Sequence, residues 1–189
     1  MASARERILA AASAEFETRG SADVTMAEIA TAAGVDRKTV YRIFANRTAL
    51  LDAVAIERIN NTREVVRAAV DTCITLQEAV VLGIVESLRH FRADQVLTIA
   101  IEATTDRGIE RYLVSADSPV IDLMLDVWRG TFARARRAGE LRHDLDDRTL
   151  ANWLLGVFLI LLLRDDLDHH AQASLITELV LPGLRPPTH

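Results

Sequence analysis

Four helix-start signals and two glycine stops crowd into the first 46 residues, and they leave room for little except short packed helices. Ser3 followed by Glu6 forms one capping box and Thr25 followed by Glu28 another, each able to satisfy two orphan backbone donors. Asp36 and Asn46 are further N-cap residues. Gly20 and Gly34 can enter the left-handed conformation that ends a helix. Between these marks, Ile8, Leu9, Ala12 and Phe16 recur at helical spacing, as do Ile29, Ala30 and Ala33, then Val40 and Phe44. The spacing predicts helices over 3–19, 26–33 and 37–44, and a fourth from Asn46 onward. Two short helices joined by a glycine turn make the helix-turn-helix pattern. Neither is stable alone, so both must share a core with the first. That core is expected to hold Ile8, Leu9, Phe16, Ile29, Val35, Val40 and Phe44.

The rest of the chain also reads as helix, with segments at 47–71, 75–92, 94–104, 107–115, 118–138, 147–165 and 170–182. Ser118–Pro119 is a start signal, with proline at the first helical position. Gly139 is a stop, Asp144 to Asp147 form a loop into a capped start, and Pro182 and Gly183 should end the last helix. No strand pattern or internal repeat is visible. The expected class is all-α, with an N-terminal three-helix module over 1–47 and a C-terminal helical bundle over 48–189. Two helices carry apolar residues on more than one face: Pro119 to Phe132, and Trp153 to Leu163 with only Gly156 interrupting the larger side chains. A helix apolar all round must be buried all round. Helices 147–165 and 170–182 are therefore expected to pair with their copies in a homodimer.

Composition narrows the chemistry. The only cysteine, Cys73, permits no intramolecular disulfide and argues against thiolate zinc sites. The N-terminus has no signal-peptide character. Trp153–Leu163 is too short for a membrane span, which needs about 20 apolar residues. A cytoplasmic protein without membrane association is expected. No phosphate-cradling glycine loop, Gly-x-Ser-x-Gly elbow or Cys–His constellation is present. Asp165, Asp166, Asp168, His169 and His170 crowd together, but no histidine pair stands four apart as a zinc helix requires. They are read as an exposed turn. No metal, no cofactor and no enzymatic activity are expected. A helical-bundle enzyme, or an interaction adaptor that keeps a helix-turn-helix fold, stays open as the alternative.

Charge shows where function sits. The chain is acidic at net −5, yet Arg37, Lys38, Arg42 and Arg47 fall between Asp36 and Asp52 with no acid among them. With Val40 and Phe44 turned inward, Arg37, Lys38, Tyr41 and Arg42 face outward, with Thr39 at the edge. Arginine and lysine neutralise phosphates, arginine reads guanine edges, and threonine and tyrosine donate to phosphate oxygens. A second helix lying in a major groove uses its N-terminal part in this way. Arg47 and Thr25 stand at helix starts, where free N–H groups favour an anion. Thr25, Arg37, Lys38, Thr39, Tyr41, Arg42 and Arg47 are the candidate DNA-binding residues, and duplex DNA with a palindromic operator is the candidate partner.

Residues 5–54 resemble the N-terminal module of the tetracycline-repressor (TetR) family of bacterial regulators. Phe16 to Gly20 fits its Phe-x-x-x-Gly. Thr25 to Val35 fits its Thr-x-x-x-Ile-Ala-x-x-Ala-Gly-Val. Tyr41 and Phe44 fit its aromatic pair three apart, Arg47 its next basic residue, and Ala49-Leu50-Leu51 its Ala-Leu-Leu. Ile43 departs from a common histidine and Thr48 from a common glutamate. The resemblance implies that Thr25, Tyr41 and Arg47 grip phosphates, and that Arg37, Lys38, Thr39 and Arg42 read bases or phosphates. It further implies a dimer with a ligand cavity in each subunit, released from DNA by a small-molecule effector. Candidate lining residues are His90, Phe91, Ile101, Tyr112, Met124, Trp128, Phe132 and Trp153. Glu102 can face either a cationic or hydroxylated ligand or water.

Overall fold

The computed structural model describes residues 2–104, 113 and 120–187. Among these every regular element is helical: α1 (Ala4–Arg19), α2 (Met26–Ala32), α3 (Arg37–Ile43), α4 (Arg47–Val70), α5 (Leu76–Ala93), α6 (Gln95–Thr104), α7 (Val120–Arg137), α8 (Asp147–Leu162), α9 (His169–Leu175) and α10 (Leu181–Leu184). A π turn, Ile176–Val180, joins the last two. The helix expected at 107–115, with Tyr112, and the Ser118–Pro119 start lie outside the described residues.

The start signals act as read. Both capping boxes close. Asp36 accepts from the Thr39 N–H at 2.7 Å, and Asn46 from the Ala49 N–H at 2.8 Å. Gly20, Gly34 and Gly139 have φ of 62°, 64° and 73°, the left-handed region that only glycine enters without strain. At Gly34 the chain reverses through two bonds, Gly34 N–H to the Thr31 carbonyl at 3.1 Å and Val35 N–H to the Ala30 carbonyl at 3.0 Å.

The chain forms two compact units, one drawn from Met1–Ile59 and Asp94–Tyr112, the other from Asn60–Ala93 and Leu113–His189. The division differs from a boundary at 47/48 because α6 packs on α1 and the first half of α4 stays with the helices before it. In the first unit Ile8, Leu9, Phe16, Ile29, Val40 and Phe44 are buried, as expected, while Val35 is half-buried at the turn. Arg58 on α4 donates to Asp94, the cap of α6, at 2.7 Å.

In the second unit α7 and α8 pack most closely, with α5 against both. Gly83 of α5 makes room for Trp128, whose ring stacks on Phe132 at 6.0 Å between centroids. Phe91 and Phe158 meet edge to face at 5.7 Å. Arg92, at the end of α5, donates to the carbonyls of Leu161 and Arg164 at 3.0 and 3.1 Å, capping the C-terminus of α8. The chain does not stop being helical at Pro182 and Gly183. Pro182 lacks an N–H, and the π turn lets it sit at the first turn of α10, where no donor is required of it.

Candidate nucleic-acid interface

The interface is built on α3. Asp36 pins its first turn, and its carboxyl is held below the usual range by the Thr39 backbone N–H and then by the Thr39 hydroxyl. Val40 and Phe44 anchor the inner face. Arg37, Lys38, Tyr41 and Arg42 are exposed, Tyr41 at 41%. The Arg37 guanidinium lies over the Tyr41 ring, 5.4 Å from its centroid, with Nη2 3.5 Å from the phenol oxygen. Among the described residues, Arg37, Lys38 and Arg42 have no carboxylate partner. Ten other arginines do, among the same residues. This segment therefore presents charge that no described carboxylate neutralises.

The other candidates carry structural tasks as well. The Thr25 hydroxyl donates to Glu28 Oε2 at 2.7 Å and accepts from the Glu28 N–H at 3.2 Å, so it belongs to the capping box of α2. Arg47, half-buried, donates to the Ala22 carbonyl and ties the start of α4 to the loop before α2. Thr39 donates its hydroxyl to Asp36 Oδ2 at 3.0 Å. The first turn of α4 holds no acidic residue, in keeping with Thr48. Sequence reasoning missed Arg5. It lies on α1, yet its guanidinium stands 5.8 Å from the Phe44 ring centroid. No local pattern could have paired residues so far apart in the chain.

The residues expected to line a cavity are dispersed. Phe91, Trp128 and Phe132 are buried in the second unit, where His90 and Met124 are half-buried. Ile101 is buried in the first unit, and Glu102 is exposed. Trp153 is not an interior wall. It is 43% exposed on α8, with its ring beside Gly183. More of α8 is apolar than one chain covers, so Ile160 also remains 64% exposed. Around Asp165–His170 the chain makes an exposed turn. Arg164 pairs with Asp166, and Asp168 caps α9 by accepting from the Ala171 N–H at 2.8 Å. No described helix is long and apolar enough to cross a membrane.

Comparison with known proteins bears on this geometry. Residues 8–54 match the model of bacterial regulatory proteins, tetR family. An HTH-type transcriptional regulator of Mycobacterium tuberculosis is 27% identical over 187 residues, covering 97% of this chain and 86% of that protein. Among solved structures, the TetR family repressor AlkX from Dietzia sp., implicated in biodegradation of n-alkanes, is similar at a TM-score of 0.70. It is 23% identical, over 96% of this chain and 95% of that one. The regulator FadR from Bacillus subtilis, solved in complex with stearoyl-CoA, gives 0.62 at 20% identity, over 95% of this chain and 98% of that one. The helix-turn-helix module, with its family match, marks the chain as a DNA-binding transcriptional regulator. Its N-terminal module, residues 8–54, matches that of the tetR family of bacterial regulatory proteins.

Proposed function

We propose that the protein is a ligand-responsive, DNA-binding repressor that acts as a homodimer on a palindromic operator and leaves it when a small, largely apolar molecule binds. The observation that carries this reading is the row Arg37, Lys38 and Arg42, exposed on the second helix of a helix-turn-helix and without a carboxylate partner among the described residues. Arg37, Lys38, Thr39 and Arg42 meet base edges or phosphates, and Thr25, Tyr41 and Arg47 grip the backbone. Arg47 keeps donors beyond the one given to Ala22.

Two such helices require a dimer with half-sites about one helical turn apart or a multiple of it. Support for the dimer comes from apolar side chains left uncovered on the last helices: Trp153 and Ile160 on α8, and Leu179 on the π turn. An apolar effector is in keeping with the apolar and aromatic residues of the second unit, where Phe91, Trp128 and Phe132 are buried and Met124 and His90 half-buried. AlkX and FadR are associated with alkane degradation and stearoyl-CoA respectively. The α4 helix contributes residues to both compact units and is the lever through which an effector would change half-site spacing. Taking the protein from mostly bound to mostly free requires about 5.5 kcal/mol of differential affinity between the two states. Two cavities per dimer share that.

The test is selection of bound sequences from random duplexes, with the protein and with Arg37→Ala/Lys38→Ala. Enrichment of a palindrome, lost in the variant, is the expected outcome. Equal recovery of all sequences by both proteins would refute the reading.

A further inference from the structure

Seven basic side chains lie in the first 55 residues, and the fold divides them by task. Arg19 pairs with Glu15 and Glu28. Arg7 reaches the carbonyls of Ala33 and Ala2, and Arg47 that of Ala22. The remaining four, Arg5, Arg37, Lys38 and Arg42, have neither a carboxylate nor a carbonyl among the described residues. Three of them belong to α3. Arg5 belongs to α1, two residues before Arg7 on the same turn, and it does something different.

The Arg5 guanidinium sits 5.8 Å from the centroid of Phe44, the residue that ends α3. Phe44 is 4% exposed whereas Arg5 is exposed, so the guanidinium covers the ring from the solvent side. A ring face holds an arginine without consuming any of its N–H donors. Arg37 is held over Tyr41 in the same manner, three residues earlier on α3. The two aromatic residues thus each station one arginine, one near the start of the helix and one at its end. Arg5 keeps its donors for another molecule, and Arg37 keeps all but the N–H given to the Tyr41 oxygen at 3.5 Å.

We propose that Arg5 is a DNA phosphate contact. It extends the cationic row Arg37, Lys38 and Arg42 past the C-terminal end of α3 with a charge supplied by α1. The proposal rests on the DNA-binding reading above. The contact is to the backbone, so it adds affinity and salt dependence without sequence preference. Stacking on Phe44 limits the rotamers that must be frozen on binding, which is what suits a planar guanidinium to the place.

The experiment measures binding of the full chain across a range of salt concentrations, with Arg5→Gln and Arg5→Lys alongside. The probes are the duplex enriched by the unaltered protein and a duplex of equal length with scrambled half-sites. Arg5→Gln should make the plot of log K against log salt shallower by about 1.8, which is about 0.9 for each of two subunits. The change should be equal on both duplexes, and Arg5→Lys should restore the slope. A purely structural cover for Phe44 would lower the unfolding temperature and leave the slope alone, and that result overturns the proposal. So does a loss confined to the enriched duplex, which would make Arg5 a base reader. Failure of the unaltered protein to bind either duplex in a salt-dependent way removes the underlying reading itself. It is distinguished by appearing before any substitution is made.

Discussion

Gly83 of α5 lies directly against Trp128 of α7: a Cβ placed on Gly83 would come within 2.5 Å of the indole ring and 3.0 Å of Val70. The backbone of one helix thereby forms the floor for the largest side chain of another. Trp128 in turn stacks on Phe132, which has no exposed surface at all. No substitution at Gly83 leaves that stack in place.

Gly83→Ala is therefore expected to destabilise the protein by about 1–3 kcal/mol, the usual cost of overpacking. Mid-helix alanine is intrinsically favoured over glycine, so propensity alone predicts stabilisation. A denaturant titration decides between them by the sign of the change in midpoint.

Glu28 gives a pH dependence. It is held from its ordinary 4.5 down to about 2 by the Thr25 hydroxyl, then the Thr25 backbone N–H, then Arg19. A carboxyl with a depressed folded-state pKa contributes stability that is fully present above its unfolded pKa and is lost as pH falls through the folded one. The protein should outlast Glu28→Gln in denaturant at neutral pH. The gap should close between about pH 4 and pH 2. An equal gap at both ends of that range would show that the carboxylate charge plays no part in the cap.

Ile160 and Leu179 are 64% and 70% exposed in a single chain. Glutamate at both positions adds no buried charge to the monomer but places four across a two-fold interface, one at each site on each subunit. Ile160→Glu/Leu179→Glu is expected to sediment as a monomer that keeps its helical circular dichroism, and the unaltered protein is expected to sediment as a dimer. Dimerisation of this variant would move the interface to another face.

Arg37→Ala should cost about 1–3 kcal/mol on the enriched duplex and relax the choice of base at one position of each half-site. Tyr41→Phe keeps the ring beneath Arg37 and removes only the hydroxyl. It should leave that choice intact while weakening all duplexes alike. Repeating the selection with each variant reads both effects.

The helix boundaries are legible in the sequence because they are written in local chemistry. Ser3 with Glu6, Thr25 with Glu28, and glycines at positions 20, 34 and 139 each act within a few residues of where they stand. The exposed cations of α3 come from the same spacing. What periodicity cannot convey is tertiary. Arg5 meets Phe44, Arg47 meets Ala22, and α6 joins the first unit, all across long stretches of chain. A tryptophan in a leucine-rich helix suggests core, yet the position of Trp153 on α8 turns it outward toward Gly183. Val35 has core residues as its sequence neighbours, but a turn residue has fewer side chains to pack against.

The π turn near the chain's end sets a phase. Gln172, Ile176, Val180 and Leu184 are all buried, and they stand four residues apart. On an α-helix a four-residue repeat drifts by about 40° each time, so three repeats would carry Leu184 well round toward the far side. A wider turn between Ile176 and Val180 takes up that drift and returns the stripe to one face. It also fixes where Leu179 points. Which surface the end of this helix offers to a second molecule is thus decided by a change of pitch over five residues, and residue type alone would not disclose it.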